Sequence, residues 1–184
     1  MIDLITEARK FQDFCQSLNW RFCFIGGLAV QHWGEPRLTR DVDVSILTGF
    51  GVEGEFTSAI LKLYRPRLAD AAQFAEQHRV LLVQTSSGVD FDISLAALPF
   101  EEEMIRRSLS VEYLPGVELQ ICSAEDLIVL KSFANRVQDW QDVNSIVERQ
   151  GKQNLDWNYI FASVAPLVEL KDEPQIIERL KSLQ

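Results

Sequence analysis

At 184 residues the chain is sized for one domain, or for one domain with a small helical annex. Hydrophobic residues make up 47%, which argues against disorder, and a net charge of −9 argues against a general nucleic-acid coat protein, leaving a local basic patch or bound metal as the routes to RNA or DNA. Cys15, Cys23 and Cys122 lack metal-ligand spacing, no apolar run approaches ~18 residues, and Met1-Ile-Asp-Leu4 has no basic leader, so the expectation is a cytoplasmic protein with reduced, buried thiols and no membrane association.

Residues 3–18 place Ile5, Ala8, Phe11, Phe14, Cys15 and Leu18 at three- and four-residue steps, which predicts an amphipathic helix ended by Asn19. Phe22 to Ile25 reads as a buried strand broken by Gly26-Gly27. Leu28, Ala29 and Trp33 then follow at helical spacing, with His32 read first as a structural histidine and second as a substrate contact, and Trp33 as core with stacking left open. After a turn at Gly34-Glu-Pro36, Thr39 to Ile46 reads as a second strand. Side chains alternate along a strand, so Asp41 and Asp43 share one face, ~7 Å apart at the backbone. Two carboxylates so placed suit a hard divalent cation, which takes oxygen ligands and keeps phosphate oxygens in its shell. Gly26 and Gly27, without Cβ atoms, let a phosphate chain approach the start of a helix, where free N–H groups and the dipole favour anions.

Thr48 to Gly54 reads as a glycine-rich loop and Glu55 to Tyr64 as a helix. Arg65-Pro-Arg67 is an interruption before a helical stretch over 68–78. Val80 to Gln84 is a strand, Ser86-Ser-Gly88 a hairpin-like turn, and Val89 to Leu95 an alternating strand with Asp90 and Asp92 on one face. Buried unpaired carboxylates are costly, so this second acidic pair implies either a shared metal or a solvated edge strand. Leu98 to Arg107 reads as a helix with acids in its first turn. Leu109–Leu114 and Val117–Cys122 read as a hairpin about Pro115-Gly116.

Ser123-Ala-Glu-Asp126 has a capping-box-like pattern and opens a helix carrying Lys131; Val137 to Glu148 continues helical until Gly151. Two further helical stretches lie near 155–170 and 174–183, interrupted by Pro166 and Pro174. The expected class is α+β, with a small mixed or antiparallel sheet flanked by helices. The organisation expected is a core over 1–122 and a C-terminal helical region over 123–184 packed on it.

The order Gly26-Gly27, then Asp41-Val-Asp43 on the next strand, resembles the signature of the polymerase-beta-like nucleotidyltransferase superfamily. The fuller string Gly26-Gly-Leu-Ala-Val30, Gly34, Arg37, Thr39, Asp41-Val-Asp43 resembles its abortive-infection, AbiEii-type branch. So does Ser123-Ala-Glu-Asp-Leu-Ile-x-Leu-Lys131 followed by Arg136 and Asp139-Trp-Gln-Asp142. The resemblance covers roughly residues 22–46 and 88–150. It departs at Leu28, where the superfamily often has Gly or Ser.

The resemblance implies the nucleotidyltransferase fold and a third carboxylate after the Asp-x-Asp strand, with Asp90 the first choice and Asp92 the alternative. It implies Mg²⁺ or Mn²⁺ on Asp41, Asp43 and Asp90, and a nucleoside triphosphate on Gly26, Gly27, Arg37, Thr39 and Lys131. Arg37 is preferred over Arg40, which alternates with Asp41. Arg136, Asp139 and Asp142 are open between a functional group and an ion-paired helix surface. The expected reaction is NMP transfer to a hydroxyl of a tRNA, a protein or a small molecule, possible roles being a toxin with a cognate antitoxin protein or a phage-defence factor. The competing expectation is a catalytically silent binding or regulatory module on the same fold.

Overall fold

The structure, a computed structural model, describes residues 2–184. By its internal contacts the chain forms two compact units: residues 1–28 with 38–122, and residues 29–37 with 123–184.

In the first unit, helix α1 (Ile2–Ser17) precedes strand β1 (Phe22–Phe24), and helix α2 (Gly26–Trp33) begins. Strand β2 (Asp41–Leu47), helix α3 (Glu53–Leu61), strand β3 (Arg65–Pro66), helix α4 (Ala71–His78) and strands β4 (Val80–Gln84) and β5 (Asp90–Ala96) follow. Helix α5 (Pro99–Arg106) and the hairpin β6 (Leu109–Leu114) and β7 (Val117–Ile121) complete it. Among the described residues, seven strands form one sheet in the order β3-β4-β5-β2-β1-β7-β6. β2–β5 and β1–β7 pair parallel, the other neighbours antiparallel.

Alternation gives the central strands two chemically distinct faces. Val42, Val44 and Ile46 of β2 and Phe91, Ile93 and Leu95 of β5 are buried. Leu4, Ile5, Ala8, Phe11 and Cys15 of α1 form a buried stripe, and the Phe11 ring lies 5.0 Å from that of Phe91. Burial of such side chains contributes about 1.5–3 kcal/mol each. The opposite face of the same strands carries Asp41, Asp43, Asp90 and Asp92, all only part-buried.

Three local expectations change in this unit. α1 stops at Ser17, so Leu18 falls past the end of the stripe and is 43% exposed; Asn19, at φ 54°, turns the chain out of the helix. The next helix starts at Glu53, two residues early. Arg65-Pro66 is a short edge strand on β4, with Arg65 opposite Gln84, and not merely a break between helices. Proline is tolerated there because an edge strand has no ladder bond for its missing N–H to make.

In the second unit, helices α6 (Ala124–Ala134), α7 (Val137–Gln150), α8 (Trp157–Lys171) and α9 (Gln175–Leu183) gather with the last turns of α2. Ser123 caps α6 by accepting the Asp126 N–H at 3.2 Å, and Asp156 caps α8 by accepting that of Tyr159 at 3.0 Å. Pro166 does not divide α8, which runs through it. The buried Trp140 indole donates to the Asn135 side chain at 2.7 Å, and the Arg179 guanidinium stands 4.2 Å from its ring. Among the described residues no helix is long and apolar enough to cross a membrane, and Cys15, Cys23 and Cys122 are buried.

Candidate functional site

The glycine turn and the acidic strand meet because β1 and β2 pair antiparallel with Phe24 opposite Val44. The pairing runs one step further, the Ile25 N–H donating to the Asp43 carbonyl at 3.0 Å, which sets Gly26 beside Asp43. The contact leaves no room for a side chain. A Cβ on Gly26 would lie 1.9 Å from Asp43 Oδ2, and one on Gly27 would lie 2.3 Å from Thr39 Oγ1. Gly26 also holds φ +57°, which disfavours L side chains. Asp43 Oδ2 accepts the Gly27 N–H in a long contact of 3.4 Å, at the positive end of α2. Thr39 Oγ1 donates to Asp41 Oδ1 at 3.1 Å. Gly26, Gly27, Thr39, Asp41 and Asp43 are therefore brought together.

Gly26→Ala should carry roughly 1–3 kcal/mol of backbone strain and displace the Asp43 carboxylate. Chemical denaturation checks the first, and a shift of the Asp43 carboxylate resonance the second. A variant matching the native chain in both would show that the turn's geometry is unimportant.

The second acidic pair arrives through the parallel register of β2 and β5: Asp41 stands opposite Asp90, and Asp43 opposite Asp92. Neighbouring strands lie ~4.8 Å apart, so four carboxylates share one small patch of sheet face. Each already has a partner, and Asp90 and Asp92 share Arg67. Gln84 Nε2 donates to Asp90 Oδ1 at 2.7 Å, and Gln84 Oε1 accepts from Arg65 at 3.1 Å. Arg67 Nη1 donates to Asp92 Oδ1 at 2.5 Å, while its Nε is 3.8 Å from Asp90 Oδ2. In these positions no group of three His, Cys, Asp or Glu among the described residues is close enough to hold one ion. The donors fit a hard divalent cation in kind, being oxygens on two in-register strands, and rotation of the carboxylates away from their partners is what such an ion requires.

Arg37 and Lys131 lie in the second unit, and both are bound to Asp142. Arg37 Nε and Nη2 donate to Asp142 Oδ1 and Oδ2 at 2.8 and 2.9 Å, a two-pronged pair. Lys131 Nζ is 2.8 Å from Asp142 Oδ2 and 3.2 Å from Asp139 Oδ1, and Arg136 Nε donates to Asp139 Oδ2 at 2.6 Å. Asp139 and Asp142 are ion-paired, as the structural alternative expected, but they are buried and not on the helix surface. Burial pushes the Asp142 carboxyl up, but hydrogen bonds from Arg37 and Lys131, with their charges, outweigh it and hold it below the usual carboxylate range. At Asp139 burial is outweighed in the same way by Arg136 and Lys131.

Two polar residues of this acidic face escaped the sequence reading. Gln84 was legible in principle, because a hairpin closed at Ser86–Gly88 sets it opposite Asp90. Arg67 was not, since only the pairing of β3 with β4 brings it there.

No protein-family model and no curated protein sequence matches the chain. Solved structures do. A nucleotidyltransferase-like antigenic protein from Paracoccidioides brasiliensis is similar over 94% of this chain and 90% of its own, at TM-score 0.53 and 17% identity. The antibiotic-resistance factor ANT(2'')-Ia is similar over 100% of this chain and 96% of its own, at TM-score 0.52 and 14% identity. The lincosamide antibiotic adenylyltransferase LnuA, with lincomycin bound, is similar over 74% of this chain and 92% of its own, at TM-score 0.51 and 13% identity. The fold they have in common with this chain is the nucleotidyltransferase fold, as the family resemblance implied.

Proposed function

We propose that the chain transfers a nucleoside monophosphate from a nucleoside triphosphate to a hydroxyl acceptor, with Asp41, Asp43 and Asp90 as its metal-holding carboxylates. The observation that carries this is the meeting of the Gly26-Gly27 turn with Asp43, where a Cβ would strike the carboxylate at 1.9 Å. A divalent ion, Mg²⁺ or Mn²⁺, supplies Lewis acidity to the acceptor hydroxyl and to the leaving pyrophosphate when bound. Gly26, Gly27 and the N–H groups opening α2 cradle the phosphates, and Thr39 fixes the Asp41 carboxylate through its 3.1 Å hydrogen bond. The acceptor oxygen bonds to the α-phosphorus as the bond to pyrophosphate breaks, and the acceptor's proton passes to a carboxylate of the same face.

We place Asp90 ahead of Asp92 as the third ligand on a charge argument. Asp92 already has a guanidinium at 2.5 Å, whereas Asp90 has a neutral amide at 2.7 Å and the cation only at 3.8 Å. An amide is the easier partner to exchange for a metal.

In this reading Arg37 and Lys131 contact the triphosphate by giving up part of their hold on Asp142. The finer assignment to the abortive-infection branch rests on the resemblance of the Gly26 to Asp43 and Ser123 to Asp142 strings alone. The acceptor classes in play are a tRNA, a protein side chain and a small hydroxylated molecule of the antibiotic type.

A silent module on the same fold is the second reading, and the partner that each carboxylate already has favours it. Calorimetric titration with ATP, GTP, CTP and UTP, each with and without Mg²⁺, separates the two. The expected result is Mg²⁺-dependent heat with at least one nucleotide. Negligible heats in every mixture would sink the transferase reading. With binding established, mass spectrometry of candidate acceptors incubated with the preferred nucleotide and Mg²⁺ identifies the substrate.

A further inference from the structure

Arg67 reaches the acidic face from outside every motif that defines it. It follows the two-residue edge strand β3, and its backbone N–H donates to the Leu82 carbonyl at 3.0 Å, which extends the pairing to β4. That bond aims the side chain across β4 at β5. The guanidinium lies 2.5 Å from Asp92 and 3.8 Å from Asp90, with its side chain 31% exposed. Without a counter-charge, four carboxylates on one patch of sheet face repel one another. Arg67 relieves the β5 half of that repulsion.

We infer that Arg67 is a resident cation of the acidic face, and that it competes with a divalent ion for Asp90 and Asp92. This rests on the metal-binding reading above and adds an element that the reading lacks. The same carboxylate oxygens cannot point at the guanidinium and converge with Asp41 and Asp43 on an ion. Metal entry therefore requires Arg67 to release Asp90, and for full convergence Asp92 too. The released guanidinium remains tethered beside the face, free to meet an anionic group of the substrate. Its chemistry suits that exchange: a planar, permanently charged fork binds carboxylate and phosphate oxygens alike. Arg67 would thus be a positioning residue that sets metal affinity and keeps the acidic face ordered in its metal-free form.

The test is Mn²⁺ binding to the full chain and to Arg67→Gln and Arg67→Lys, followed by calorimetry and by the electron paramagnetic resonance of free Mn²⁺. Removing a competing cation from a partly exposed pair should tighten Mn²⁺ binding by roughly three- to tenfold in Arg67→Gln. Arg67→Lys, which keeps the charge, should stay close to the native value. A merely structural arginine predicts the opposite, because its loss would disorder the carboxylates and weaken binding. A second measurement needs no variant: the Arg67 Nε–H resonance of the native protein should lose its protection from solvent exchange as Mg²⁺ is added. Equal or weaker Mn²⁺ binding by Arg67→Gln, or an Nε–H signal unmoved at saturating Mg²⁺, overturns the competition and leaves the metal reading standing. Absence of Mn²⁺ binding in native chain and variants alike overturns both.

Discussion

Asp43→Asn is expected to abolish transfer while leaving the fold intact. Asp43 is the carboxylate nearest the glycine turn, and its Oδ2 faces the Gly27 N–H at 3.4 Å. The asparagine oxygen can still accept that bond, so the local geometry has no reason to collapse. Two electrostatic effects on stability oppose each other. The lost charge forfeits its favourable place at the start of α2, about 0.3–1 kcal/mol. It also relieves repulsion from Asp41, its neighbour on β2, and from Asp92, opposite it on β5. The metal-free melting temperature should therefore move little. The rate should fall by at least about a hundredfold, the loss seen when one preorganised electrostatic group is removed from a reacting centre. A melting-temperature drop of many degrees in the metal-free variant would assign Asp43 to structure, and transfer at the native rate would remove the acidic face from the reaction.

Why Asp43 was visible in the sequence and its surroundings were not has a physical basis. The strand's period of two is a local property, so Asp41 and Asp43 could be placed on one face from spacing alone, and Asp90 and Asp92 likewise. The parallel register that stands Asp41 opposite Asp90 and Asp43 opposite Asp92 is non-local. Strands joined through a crossover leave no turn between them from which to count the register. Arg67 was hidden for the same reason. In the sequence Arg65-Pro-Arg67 shows only a break in helical periodicity, and nothing in it points to the edge of a sheet.

The helical unit failed in a different way. Asp139 and Asp142 stand on a helix with polar neighbours, and charged residues on helices are mostly exposed. What buries them is a set of partners from elsewhere: Lys131 from the preceding helix and Arg37 from the segment after α2. A sequence shows the charges but not which of them will neutralise one another. Pro166 misled through the opposite bias. A proline interrupts a helix by removing one hydrogen bond and crowding the previous turn. In α8 the loss is absorbed within a 15-residue helix that buries Trp157, Ile160, Val164 and Leu167.

Asp142→Asn should strongly destabilise the helical unit. The residue is 3% exposed and holds two cations, Arg37 by both nitrogens of its fork and Lys131 at 2.8 Å. Removing its charge leaves Lys131, itself 8% exposed, with Asp139 alone, and breaks the paired geometry of Arg37. Breaking a buried ion pair from one side costs about 3–5 kcal/mol, which for a chain of this size is roughly 10 °C of melting temperature. The pH dependence follows from the depressed carboxyls. Asp142 and Asp139 release their protons more readily folded than unfolded, so the stability they contribute is fully present above the unfolded carboxylate value near ~4. It is lost as pH falls below that and through their lower folded values. The native chain should therefore lose stability steeply below about pH 4, and Asp142→Asn should show a shallower acid slope from a lower plateau. Urea denaturation of both proteins between neutral and acid pH measures this directly. Equal stability at neutral pH, or parallel acid slopes, would mean that Asp142 does not hold Lys131 and Arg37 in solution.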